Sequence, residues 1–289
     1  MATPTTNGRE AGLHGKVAFI TGIARGQGRA HALALAQAGA DIIGIDRAAD
    51  VASMGYPLGT EAELAETVGL VEATGRRIIA RKGDVRDRKG VEELLAEGVA
   101  ELGRLDVVVA SAAISPPAHR LWKIPTEQWD DVIGTNLTGV FHTLAASMPH
   151  LLAGRRGGSI IVISSGAAMN NVPNLSDYVT TKTGVIGMAK SLANEVAHKQ
   201  IRVNVIAPGT VNTPMVTTNE PQFRLFRPDL ANPRLEDCAD GFTRMNPMGR
   251  PWLEPDEISR AVVFLASDDA RWITGVVLPV DQGNVNRPF

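Results

Sequence analysis

Three features of the 289-residue sequence predict an α/β fold with a parallel sheet covered by helices on both faces. Short apolar runs alternate with longer helical patterns along most of the chain. The runs are apolar throughout, as in Ile160-Ile161-Val162-Ile163, which marks strands buried on both faces. A glycine-rich turn, Gly22-Ile23-Ala24-Arg25-Gly26-Gln27-Gly28, joins the first run to the first helix. With 44% hydrophobic residues, the chain can bury the core of one large domain.

Residues 1–12 have no periodicity and read as a flexible tail, so the domain is taken as residues 13–289. Lys16 to Thr21 is the first strand, and the glycine turn opens a helix to about Ala38. Gly22, Gly26 and Gly28 let the backbone approach a pyrophosphate, and the helix N-terminus offers free N–H groups to it. The alternative is a tight turn without a ligand. Asp41 to Asp46 is the second strand and ends in a carboxylate placed to accept from both hydroxyls of an adenosine ribose. Such a carboxylate repels a 2′-phosphate and favours NAD over NADP. Arg25 and Arg47 pull the other way, since either can pair with that phosphate. Asp46 is given the deciding weight, because an uncompensated carboxylate facing a phosphate costs more than a mobile surface arginine recovers.

A loop from Arg47 to about Thr60 follows, then a helix to about Thr74 and a third strand, Arg76 to Lys82, closed by Asp84-Val85. Two readings of Asp84 stand, an acceptor for the adenine amino group and a helix N-cap. A helix over Asp87 to Leu102 leads to a fourth strand, Leu105 to Ala110. The next helix, Thr126 to about Leu152 and capped by Thr126, holds Gly134, Asn136 and Gly139, all poor helix-interior residues. A kink or bulge at Asn136 is expected, freeing a backbone carbonyl to hold a water near Lys182. A helix–helix contact that needs small residues is the alternative.

Proton chemistry is written into Ser165, Tyr178 and Lys182. Tyr178 and Lys182 are four apart in a helical pattern from Ser176 to Ala197, so their side chains stack on one face. A phenol ionises near ~10 in water, and an ammonium one turn away favours the phenolate. Ser165 follows the buried strand Ile160–Ile163, at the sheet end where open α/β folds bind ligands. Together they describe a site that moves a proton on or off a substrate oxygen. The alternative, a surface Tyr–Lys pair, does not account for Ser165.

Ile201 to Ala207 is the sixth strand, followed by Pro208-Gly209-Thr210-Val211-Asn212-Thr213-Pro214. Residues 215–255 show little periodicity and several prolines, which predicts a substrate lid at about 212–255. Its Met215, Phe223, Leu225, Phe226, Met245, Met248 and Trp252 either form an apolar substrate site or pack the segment down. Pro255 opens the last helix, and Val276 to Asp281 is the seventh strand. The net charge of -2, without a basic run, argues against nucleic acid. Cys238 is the single cysteine and the six histidines lack ligand spacing, so no metal is expected. No membrane-length apolar stretch or signal peptide is visible, and the expected location is cytoplasmic.

Taken together, these motifs resemble the short-chain dehydrogenase/reductases from about Gly15 to Gly283. The matching residues are the Thr21–Gly28 loop, Asp84-Val85, Asn136, Ser165, Tyr178-x-x-x-Lys182 and Pro208-Gly209. The resemblance implies a seven-stranded, doubly wound Rossmann-type sheet. It implies Asn136, Ser165, Tyr178 and Lys182 as a catalytic tetrad, with Tyr178 and Lys182 also meeting the cofactor. It further implies contacts to the nicotinamide half from Pro208, Gly209, Val211 and Thr213, and a homotetramer. Ala110-Ser111-Ala112-Ala113 departs from the family pattern, which usually reads Asn-Asn-Ala-Gly; the lost Asn removes bonds that brace the central strands. The Ala24–His31 run, the surplus after Asp46 and the Asn219–Pro233 stretch look like the carveol-dehydrogenase-like, mycofactocin-coupled subgroup. That implies NAD-dependent interconversion of a secondary alcohol, apolar or terpenoid, and its ketone. An NADPH-dependent carbonyl reductase and a non-catalytic NAD-binding redox sensor are the competing readings. The surplus Arg47–Thr60 is expected to fold over the adenosine half of the groove through Val51, Met54, Tyr56 and Leu58. Slow NAD release and reoxidation by an external electron acceptor follow from that expectation.

Overall fold

A computed structural model describes residues 12–286, and the expected tail lies outside the described residues apart from Gly12. The strands are β1 (Val17–Thr21), β2 (Asp41–Asp46), β3 (Ile78–Lys82), β4 (Val107–Ala110), β5 (Gly158–Ile163), β6 (Ile201–Pro208) and β7 (Val277–Val280). They form one sheet in the order β3-β2-β1-β4-β5-β6-β7, and every pairing is parallel. The order reverses between β1 and β4, so the crevice for a ligand opens at their carboxyl ends.

Alternation along the strands sends side chains to two cores. Phe19, Ile43, Val108 and Val162 pack on one face, and Ile20, Ile42, Val109 and Ile161 on the other. The first face is covered by α3 (Arg88–Leu102), α5 (Gly139–Gly154) and α7 (Ser176–Val196), the second by α1 (Gly26–Gln37) and α11 (Pro255–Ala266). β3 ends in two consecutive charges. It lies at the sheet edge, where Arg81 and Lys82 are exposed and charge blunts strand addition.

The connecting helices are α2 (Glu61–Glu72), α4 (Thr126–Ile133), α6 (Ala167–Asn170), α8 (Pro214–Thr217), α9 (Glu220–Phe226) and α10 (Leu235–Met245). Thr60 closes α2 with a capping box to Glu63. The expected cap at Thr126 is not formed: Pro125 is the N-cap, and Thr126 is already the first helical residue. Its fixed φ of -62° suits Pro125 to an extended entry into the helix. Between α4 and α5 the helix widens to a π turn over Gly134–Thr138, where the Gly139 N–H reaches back to the Gly134 carbonyl. The expected irregularity at Asn136 is therefore a π bulge. Residues 214–245 are three short helices rather than irregular chain. α8 and α9, of 4 and 7 residues with a proline each, are too short for a period to show, whereas α10 has no proline and buries Cys238 and Phe242 on one face. No helix among the described residues is long and apolar enough to cross a membrane.

Candidate active site

The glycine turn leaves β1 at the buried Thr21. Gly22 takes φ +78°, and its N–H donates to the Ile45 carbonyl at 2.8 Å. A Cβ on Gly28 would stand 1.8 Å from the Gly22 carbonyl oxygen, so the first turn of α1 closes on the loop only because Gly28 has none. No side chain caps α1 at Arg25, and its first N–H groups stay open toward the groove. The Thr21 Oγ1 accepts from the Ser111 and Ala112 N–H groups, each at 3.1 Å, and ties the end of β1 to the chain leaving β4. That bond supplies bracing where the family's Asn is missing.

Asp46 lines the groove at the end of β2. Its Oδ2 accepts from the Ala24 N–H and its Oδ1 from the Ala48 N–H, both at 2.9 Å. Burial pushes its pKa up, and those two backbone donors pull it back. A carboxylate oxygen has two acceptor positions, so each keeps one for a ribose hydroxyl. Arg25 donates to the Pro57 carbonyl and approaches Glu63 at 3.7 Å. Arg47 pairs with Asp84 at 2.8 Å. Both arginines that could have met a 2′-phosphate are thus occupied within the chain. Asp84 is not a helix cap, since Asp87 precedes α3. It lies in the groove beside Val85, held by Arg47 and Arg86, while Arg86 also pairs with Asp131 at 2.7 Å.

Ser165, Tyr178 and Lys182 converge at the carboxyl end of β5. Lys182 is buried, and its Nζ donates to the Ile163 carbonyl at 3.0 Å and lies 5.7 Å from the centre of the Tyr178 ring. Burial lowers its pKa to about 8. Tyr178 departs from expectation. Burial raises its phenol above the usual 10, and the hydrogen bond with Ser165 is the opposing pull. In the free site Lys182 faces the ring and a carbonyl rather than the phenolic oxygen, so desolvation of the phenolate wins. The Asn136 side chain clasps one residue: Oδ1 accepts from the Ile114 N–H at 2.8 Å and Nδ2 donates to the Ile114 carbonyl at 2.9 Å.

Gly22, Arg25, Gly26, Gln27, Gly28, Asp46, Arg47, Asp84, Val85, Tyr178, Lys182 and Thr213 line one groove. Pro208, Gly209 and Val211 do not line it. The Pro208 carbonyl accepts from the Gly166 N–H at 2.8 Å, the Gly209 N–H donates to Val280 at 3.0 Å, and Val211 is buried beside Leu253. They hold β6 to its neighbours and aim Thr213. Val51, Tyr56 and Leu58 of the 47–60 loop line the groove as expected, whereas Met54 does not. Sequence reasoning missed the polar ties around the site. Gln128 donates to Asp177 at 2.7 Å and to the Pro117 carbonyl at 3.1 Å, anchoring the start of α7. Ser115 binds both Tyr56 and residues near α9. A lone Ser or Gln has no spacing signal to find it by.

The groove fits a dinucleotide by its chemistry: open helix N–H groups, an acidic residue with acceptor positions to spare, and an orphan acceptor. Gln27 Oε1 is buried without a hydrogen-bond partner, which costs about 1–3 kcal/mol until a ligand donor meets it. The fold and this groove define a doubly wound dinucleotide-binding protein with Ser165, Tyr178 and Lys182 gathered at the carboxyl end of β5. The family model described as Enoyl-(Acyl carrier protein) reductase matches residues 22–284. A (-)-trans-carveol dehydrogenase of Rhodococcus erythropolis is 46% identical over 273 residues, 94% of this chain and 98% of that protein. The crystal structure of a carveol dehydrogenase from Mycobacterium avium in complex with NAD superposes with a TM-score of 0.93 at 47% identity, covering 96% of this chain and 99% of that one. A 3-oxoacyl-[acyl-carrier-protein] reductase of Thermotoga maritima is 34% identical, covering 94% of this chain and 99% of that protein. The chain belongs to the short-chain dehydrogenase/reductase family.

Proposed function

We propose that the protein is an NAD-dependent short-chain alcohol dehydrogenase that interconverts an apolar secondary alcohol and its ketone. The observation that carries this reading is that Tyr178 and Lys182 line the groove that also holds Asp46, with Ser165 hydrogen-bonded to Tyr178 beside it. The relatives named as carveol dehydrogenases support a secondary alcohol, terpenoid in character. NAD, when bound, supplies the hydride acceptor. Tyr178 takes the alcohol's hydroxyl proton, and Ser165 donates to the substrate oxygen and holds its developing charge. Lys182 brings positive charge toward the phenolate and orients the cofactor's ribose. The backbone at Asn136, in the π turn, holds the water that continues the proton path. Asp46 fixes the adenosine ribose.

Most apolar side chains of residues 212–255 are not free for substrate. Phe223, Cys238 and Phe242 form a small core with Phe226, Met245 and Trp252. Apolar character in the groove comes instead from Met215, Pro214, Ile114, Val51 and Tyr56. We read the 212–255 segment as a lid, and the 47–60 loop as a cover that slows NAD release, so that an external acceptor reoxidises cofactor in place. Exposed Phe141 on α5 supports assembly as a homotetramer through that helix layer. The test is a single-turnover panel of secondary alcohols followed by nicotinamide absorbance. Reduction of NAD by apolar alcohols is expected, and NADP-only reduction overturns the cofactor assignment. Denaturing the dialysed protein and measuring NAD per chain tests retention; sedimentation tests assembly.

A further inference from the structure

The 47–60 loop and the α9 segment meet at one residue, Ser115, and together use all three of its polar groups. The Ser115 N–H donates to the Tyr56 hydroxyl at 3.2 Å. Its carbonyl accepts from Asn219 Nδ2 at 3.2 Å, and its Oγ accepts from Gln222 Nε2 at 2.6 Å. Gln222 Nε2 also donates to the Pro116 carbonyl at 3.0 Å. The two covers touch directly as well: a Cβ on Gly55 would stand 2.4 Å from Pro221 Cγ. Ser115 is itself a rigid post, because Asn136 clasps the preceding Ile114 through both its N–H and its carbonyl. Ser115, Tyr56 and Asn219 are all buried.

From this geometry we propose that Gln222 is a positioning residue for the cofactor, acting through Ser115 on Tyr56, and that the loop and α9 release the groove as one unit. If the loop lifts alone, the Ser115 N–H and the Tyr56 ring lose their buried partners, and Gly55 must slide past Pro221. If α9 lifts alone, the Ser115 carbonyl and hydroxyl lose theirs. Moving both together spares the direct Gly55–Pro221 contact, which either cover moving alone has to break. Tyr56 lines the groove, whereas Gln222 does not. A substitution at Gln222 therefore reaches the cofactor only through this chain of contacts. By reciprocity, an alcohol that holds α9 down tightens cofactor binding in the groove. The proposal rests on the groove binding NAD.

The test pairs Gln222→Met, which keeps length and volume, with Tyr56→Phe and their double variant. NADH release is followed by loss of nicotinamide fluorescence on dilution into excess NAD. Each single variant is expected to speed release by about fivefold or more, and the double by clearly less than the product of the two. Hydrogen exchange on cofactor-free protein gives a second readout. Gln222→Met should speed exchange across 47–60, and Tyr56→Phe across 220–226, with β-strand peptides unchanged. Wild-type release and wild-type exchange at 47–60 in Gln222→Met, or strictly multiplicative effects, overturn the coupling. A wild-type protein that binds no NADH sinks the cofactor reading instead, and the exchange arm still decides whether the covers move together.

Discussion

Lys182 Nζ stands 5.7 Å from the centre of the Tyr178 ring and spends a hydrogen bond on the Ile163 carbonyl, 3.0 Å away. The ammonium thus sits over the ring face while the phenolic oxygen faces Ser165. Burial holds the phenol above its ordinary pKa and brings the lysine to about 8. Tyr178 is therefore a neutral phenol in the free site, and the positive charge that NAD would bring when bound favours its ionisation. The chain has two tyrosines, so Tyr56→Phe leaves a single phenol to titrate by ultraviolet absorbance. Its ionisation is expected above pH 10 in the free protein and lower with NAD bound. An unchanged or upward midpoint on adding NAD rejects this account. Tyr178→Phe is expected to lower kcat by about 10²–10⁴.

Thr21 offers a stability test on the chain's departure from its family. Its hydroxyl oxygen accepts two backbone N–H groups, from Ser111 and Ala112. Thr21→Val keeps the shape and removes the acceptor, leaving two half-buried donors unpaired. The loss expected is about 2 kcal/mol in urea unfolding, the low end of 1–3 kcal/mol for each of two groups, because both donors are half-buried. Restoring Ser111→Asn in that background should recover part of it.

The sheet was legible because burial on both faces forces continuous apolar runs, and β2 (Asp41–Asp46) begins and ends where that pattern does. Tyr178 and Lys182 were legible because helical spacing is periodic. What sequence hides is contact between segments with no period of their own. Ser115 is an undistinguished serine until Tyr56 arrives from 59 positions away and Gln222 from 107. The helices α8 and α9 vanish for a related reason, since they have only 4 and 7 residues. The direction of the Tyr178 shift was misjudged from spacing alone. Four residues place Lys182 beside the ring, but only the fold shows that burial outweighs its charge.

Acid should weaken the fold through His31. This side chain is fully buried between α1 and α11, with Nδ1 2.8 Å from Ser259 Oγ and Nε2 without a partner. Burial lowers its pKa from 6.5 to about 3. In the unfolded chain the imidazole binds a proton below about 6.5, while the folded protein refuses it until about 3. The unfolded state therefore holds more protons across that window, and stability falls as pH drops through it. The contribution reaches about 4 kcal/mol at the low end. Denaturant midpoints at pH 7.5 and pH 4.5 should separate further in the wild type than in His31→Gln. Equal separation in both proteins would clear His31 of the effect.

Cofactor choice turns on a carboxylate whose rivals are already spoken for. Asp46 accepts from Ala24 and Ala48 and keeps acceptor capacity toward the groove, while Arg47 is bound to Asp84 and Arg25 to Pro57. Asp46→Ala removes both the ribose acceptor and the negative charge that repels a 2′-phosphate. It does not by itself free Arg47, which stays with Asp84. The variant should lose NAD affinity by about tenfold to a hundredfold, on about 1.5–3 kcal/mol for a hydrogen bond to a charged group. It should gain little for NADP. Asp46→Ala combined with Asp84→Asn releases Arg47 from its ion pair, and this double variant is the one expected to bind NADP well. Fluorescence titrations with NADH and NADPH on both variants check this order. If Asp46→Ala alone already prefers NADPH, Arg47 is not held by Asp84 in solution, and the pairing is not what sets the choice.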